Sequence, residues 1–180
     1  RSAAGNVSVL ATLGDVAVES LTAGKAVTVT SARGEVTLVS VSAAQDATVG
    51  ADQGVLISDS LNAVTGDVAI QTTNGDITFV KELAFVSDYI VDDTVGAIEP
   101  EAVISSKAGG VTITALNGAI VTPYVINAGG DVTLSSLLNM ELTNQITSQG
   151  GDIDVESTSG LVRVQSNMVA EAGSITVEAQ

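Results

Sequence analysis

The sequence predicts an all-β solenoid, a right-handed parallel β-helix with about 21 residues and three short strands per coil. Three observations predict it: a repeat near 21 residues, period-two alternation of β-branched residues, and almost no aromatic residues. Self-similarity at such a period marks a stacked repeat, in which one unit cannot bury its apolar face alone.

The repeat is carried by two interleaved marker series. One runs Gly5, Gly24, Gln45, Gly66, Asp88, Gly109, Gly130, Gly151, Gly173. The other runs Gly14, Gly34, Gly54, Gly75, Gly96, Gly118, Asn139, Gly160. Each marker opens a run such as Val68/Ile70, Val111/Ile113, Val132/Leu134 or Ile153/Val155 in the first series, and Val36/Leu38, Ile77/Phe79 or Val162/Val164 in the second. Alternation with period two places these side chains on one face of a strand. A third run closes each unit, anchored by Leu21, Val41, Leu61, Leu83, Ile104, Val125 or Ile126, Ile146 and Met168 or Val169. About eight coils follow, treated as one domain over residues 1–180 and, at roughly 4.8 Å per coil, a rod on the order of 40 Å long. Glycine at the corners is expected to supply positive φ, and right-handedness follows from the crossover rule for parallel strands. An antiparallel sandwich would not hold one period and one glycine phase over so many cycles. The leucine-rich-repeat pattern is absent.

Apolar residues make up 45% of the chain and aromatic residues 2%, so Val, Ile, Leu and Ala must fill the core. The net charge is −15, which argues against nucleic acid and against anionic membrane surfaces. With no Cys and no His, disulfides, cysteine nucleophiles, zinc sites and His-based catalysis are all excluded. No apolar run is long enough to span a membrane as a helix. The chain opens on Arg1, consistent with a processed product or an excised segment.

Residues 81–123 break the pattern. Phe85 and Tyr89 lie there, with Phe79 just before and Tyr124 just after, and so do Pro100 and Pro123, each expected to end a strand or start a bulge. Strict register would turn Asp92 inward, at a high cost for a lone carboxylate, so a bulge is expected to leave Asp92 and Asp93 outside. Tyr89, Asp92, Asp93, Glu99 and Glu101 form the candidate ligand-binding group, with Asp88 beside them. Paired carboxylates are also the machinery of glycoside hydrolysis, but six basic residues in all and no Trp make catalysis the lesser reading; a solvated acidic corner is the simplest one.

Two further features bear on ligands. Asp46 and Asp67 recur one coil apart, as do Asp131 and Asp152. Stacked carboxylates are a place where calcium would relieve repulsion, although corner Asp commonly bonds its own turn and the nonapeptide calcium motif is missing. Outward Thr, as in Val27-Thr28-Val29-Thr30, would suit an ice-binding face. Ser8, Ala69 and Asp154 interrupt that array, and strand propensity accounts for it. No phosphate-binding glycine loop occurs. Neither end carries an atypical capping unit, so the array is expected to continue in a longer chain or to stack on other copies.

Units such as GGDVTLSS, GGDIDVESTSGLVRVQS and GDVAIQTTNGDITFV resemble the β-helical shafts of bacterial surface and secreted proteins of the filamentous-haemagglutinin type, including adhesins and autotransporter passengers. The chain departs from that family in lacking Asn-rich ladders and a secretion-domain start. The resemblance implies an extracellular shaft that spaces or displays adhesive tips. Beside it, the residues favour a non-enzymatic role, with a glycan or a host or cell-surface protein as the expected partner and no cofactor other than calcium.

Overall fold

The structure is a computed structural model that describes residues 1–80 and 103–180. Among these residues there is no helix, and every strand pairing is parallel. One sheet stacks eight five-residue strands in the order β1 (Val7–Ala11), β3 (Val27–Ser31), β5 (Ala47–Ala51), β7 (Val68–Thr72), β10 (Val111–Ala115), β13 (Val132–Ser136), β16 (Ile153–Ser157) and β19 (Ile175–Ala179). Seven complete turns and the opening strand of an eighth result, roughly 34 Å of rod at roughly 4.8 Å per turn.

The second sheet changes character along the rod. In the first three turns the second and third expected runs fuse into single long strands, β2 (Val16–Ala23), β4 (Glu35–Ala43) and β6 (Gly54–Ala63). From the fourth turn each splits into two arms. The first arms are β8 (Ile77–Phe79), β11 (Ile120–Thr122), β14 (Met140–Leu142) and β17 (Val162–Val164). The second arms are β9 (Val103–Ser106), β12 (Val125–Ala128), β15 (Ile146–Ser148) and β18 (Met168–Ala170). The split begins at β6, where the register with β4 shifts after Leu38 and Ser58–Asp59 bulge out. Pro123 lies in the corner after β11, as a residue without an amide donor should.

Aliphatic rows fill the interior. Val27, Ala47, Val68, Val111, Val132 and Ile153 are stacked partners, all fully buried. A facing row runs Leu21, Val41, Leu61, Ile104, Ile126, Ile146, Met168. Small residues pack where aromatic ones would not fit. Where large volume is needed, at the split of the second sheet, Phe79 and Tyr124 meet with ring centroids 5.4 Å apart.

The repeat count and the stack differ at one place. β7 pairs directly with β10, β8 with β11 and β6 with β9, so Val68 faces Val111 and Leu61 faces Ile104. No strand therefore lies between those rungs, and the unit led by Asp88, with Leu83 of the expected third-run row, falls outside the described residues. The rod has one turn fewer than the markers suggest.

The glycines also act differently from expectation. Among the described residues only Gly14 has positive φ, at 105°. Several of the others are required by the closeness of the turn before. A Cβ on Gly34 would strike Gly14, on Gly75 the Gln53 carbonyl, on Gly118 the Gly75 carbonyl, and on Gly160 the Leu138–Asn139 peptide. Axial contact, rather than dihedral freedom, selects glycine at these corners.

Candidate functional site

All five candidate ligand-binding residues, Tyr89, Asp92, Asp93, Glu99 and Glu101, lie in 81–102 and so outside the described residues, as do Asp88 and Pro100. The residues on either side are described. Val80 donates its N–H to the Ile57 carbonyl at 2.9 Å, and Ile104 is the partner of Leu61. The chain thus leaves and rejoins the rod beside Ser58–Ser60 of β6, at the corner between the two arms. Two residues of extended chain separate the neighbouring positions, roughly 7 Å.

Tyr124 sits beneath that corner. Its hydroxyl donates to the carbonyl oxygen of Val80 (3.0 Å) or of Ile57 (3.2 Å). Burial pushes the hydroxyl well above the usual tyrosine range, and the Asp59 carboxylate adds to the shift. The phenol stays neutral and acts as a donor that ties the departing strand end to β6.

The stacked acids are occupied by backbone. Asp46 Oδ1 accepts the Asp67 N–H at 3.1 Å, and Asp67 Oδ1 accepts the Gly110 N–H at 2.8 Å. Asp131 Oδ1 accepts the Asp152 N–H at 2.9 Å, and Asp152 Oδ1 accepts the Ser174 N–H at 2.7 Å. Asp15, Asp76 and Asn139 do the same at the other corner, toward Glu35, Ala119 and Leu161. Each carboxylate bonds the turn that follows it, not its own turn as the simpler sequence reading holds. These bonds staple the rod along its axis. The Ser174 N–H, then the Ser174 hydroxyl, hold Asp152 below the usual carboxylate range. Among the described residues no group of three or more Asp or Glu comes close enough to hold a metal.

The sequence reading missed a second set of corner residues. Ser31, Thr72, Ser106, Ser136, Ser148 and Ser157 are buried polar residues at strand ends. Ser148 Oγ donates to the Gly130 carbonyl (2.8 Å) or the Gly151 carbonyl (2.7 Å) and accepts the Gly151 N–H (3.0 Å). Ser31 and Ser106 bridge successive turns in the same way. The available signal was a small residue three positions before most markers, as in Ser31-Ala-Arg-Gly34 or Ser157-Thr-Ser-Gly160.

The faces between corners are largely uncharged. The outward row Thr22, Ser42, Asn62, Ser105, Asn127, Thr147 runs along the second arm, beside a groove of about 510 Å³ lined by Lys107, Asn127 and Gln149. Another groove, of about 440 Å³, lies over Gly54 between Glu35 and Asp76. Both are open furrows between turns; in the first, the Ser105 and Ser106 hydroxyls donate to Asn62 and to the Gly66 carbonyl rather than to a base. No family model, no curated protein and no solved structure matches this chain.

Proposed function

We propose that this chain is a structural shaft segment of an extracellular bacterial surface protein, an adhesin, filament or surface layer, and that it works by rigidity and reach. One observation carries the reading: a single aliphatic interior, flanked by continuous parallel ladders and axial Asp staples, runs through all seven turns. The inner strands of the ladders pair with the turn above and the turn below, which resists bending and local opening. The two terminal strands of the first sheet, β1 and β19, each pair on one side only, and inward Ile175 and Val177 are 43% and 45% exposed. Such edges suit pairing with a strand of another copy. The net charge of −15 keeps a long array soluble and is compatible with calcium in the surrounding medium. Electron microscopy of the purified chain, with and without calcium, tests the reading. Rods that join end to end support it; compact particles with no axial association count against it.

A second reading has its own support. β7 pairs directly with β10, and the connection from Val80 to Val103 carries Tyr89, Asp92, Asp93, Glu99 and Glu101. In this reading they serve a glycan or protein ligand presented by the shaft. Replacing Asp92, Asp93, Glu99 and Glu101 together separates the two. Lost binding to a glycan array with unchanged rods favours the binding module, whereas turnover of a glycan by the unaltered chain would revive the polysaccharide-active enzyme, the weakest alternative.

A further inference from the structure

We propose that Asn117, and more slowly Asn74, are sites of spontaneous deamidation, and that the modification turns an axial ladder from cohesive to repulsive. Both residues precede glycine, Gly118 and Gly75, at the same corner on adjacent turns, and both are exposed. Neither glycine N–H has a hydrogen-bond partner among the described residues. A following residue without a Cβ leaves the approach of its nitrogen to the Asn side chain unhindered, and Asn is among the thermolabile residues. The glycines themselves are irreplaceable, because a Cβ on either would meet the carbonyl of the turn before.

The reaction needs only water. The glycine nitrogen attacks the Asn Cγ, a C–N bond forms, the nitrogen gives up its proton, and the side-chain nitrogen leaves as ammonia. Water then opens the cyclic imide at one carbonyl or the other, leaving either Asp or its isomer with an extra methylene in the backbone. No oxidant or reductant takes part.

The ladder decides the order and the consequence. Asn74 Nδ2 donates to the Asp52 carboxylate at 2.7 Å, a charge-assisted bond. Asn117 Nδ2 donates to the Thr73 carbonyl at 2.7 Å and lies 3.4 Å from Asn74 Oδ1, both neutral contacts. Asn117 is therefore the less firmly held and reacts first. Conversion removes the donor and adds a negative charge. The residue at 117 then faces two acceptors, and the residue at 74 faces Asp52 directly. The isomerised backbone is also one methylene too long for turns packed at van der Waals contact.

The test is incubation of the folded 180-residue chain at mildly alkaline pH, followed by peptide mapping at intervals, with a urea-unfolded sample alongside. Expected are Asp and its isomer at 117, a slower appearance at 74, and retained amides at Asn62, Asn127, Asn139, Asn144 and Asn167. The urea midpoint should fall as the converted fraction grows. Asn117→Asp and Asn74→Asp, made directly, should each lower the midpoint, and Asn74→Asp more because it faces Asp52. Intact amides at 117 and 74 over a period that converts them in the unfolded sample would overturn the reactivity. Unchanged midpoints in both Asp variants would overturn the consequence.

Discussion

Replacing residues 81–102 by a single Asn should leave the solenoid intact and raise its stability. The variant joins β8 to β9 through Val80 and one Asn, the same two-residue connection that Pro123 and Tyr124 make between β11 and β12. None of the pairings β6–β9, β7–β10 or β8–β11 uses a residue that is removed. The connection shrinks from 23 residues to two, and closure entropy scales as (3/2)RT ln n, so the gain is about 2 kcal/mol if the short connection is unstrained. Urea unfolding followed by circular dichroism reads this as a higher midpoint at nearly unchanged slope. A paired readout uses Ala69→Cys with Thr112→Cys in the intact chain, which has no other cysteine. These are register partners on β7 and β10. Adjacent rungs place them roughly 4.8 Å apart, within disulfide range, whereas an intervening rung would make it roughly 9.6 Å and forbid the bond. A deletion variant that fails to fold, together with a cysteine pair that stays reduced under mild oxidation, would show that 81–102 forms a rung.

Gly118→Ala should cost about 1–3 kcal/mol because its Cβ meets the Gly75 backbone. Gly50→Ala, whose Cβ meets nothing closer than Thr30 at 3.9 Å, should instead stabilise by about 0.5–1 kcal/mol; denaturant midpoints compare the two. Tyr124→Phe should cost about 1–3 kcal/mol by leaving the Val80 or Ile57 carbonyl without its donor. In the unaltered protein the alkaline absorbance change of Tyr124 should come well after that of a free tyrosine. Asp152 has a folded pKa below its unfolded one, so its contribution is complete above the unfolded value and is lost as pH falls through the folded one. Asp152→Asn keeps an acceptor for the Ser174 N–H without titrating. The protection of the Ser174 amide, measured against the unfolded chain at the same pH, should then lose its acid dependence, and a dependence that persists would place the titration elsewhere.

Much of the architecture was legible in the chain because the period is long, regular and carried by β-branched residues. Val68, Val111, Val132 and Ile153 share one buried row as their phase requires, and the net charge and missing His and Cys narrow the chemistry without any coordinates. The stacked Asp positions were legible as well, but not their partners. A corner Asp can bond its own turn or the next one, and only the packing of one turn on another selects the N–H of Asp67, Gly110, Asp152 or Ser174. The buried Ser and Thr of the corners read as ordinary strand residues for the same reason.

Tertiary structure alone decided how many turns are stacked. A segment one coil long preserves the phase of every later marker whether it lies in the rod or outside it, so periodicity cannot distinguish a rung from an insertion. The direct pairing of Val68 with Val111 makes that distinction. The glycines show the same limit. The chain marks where they stand, but their cause is the carbonyl of the preceding turn, a contact between residues about 20 or 40 apart that no local rule contains.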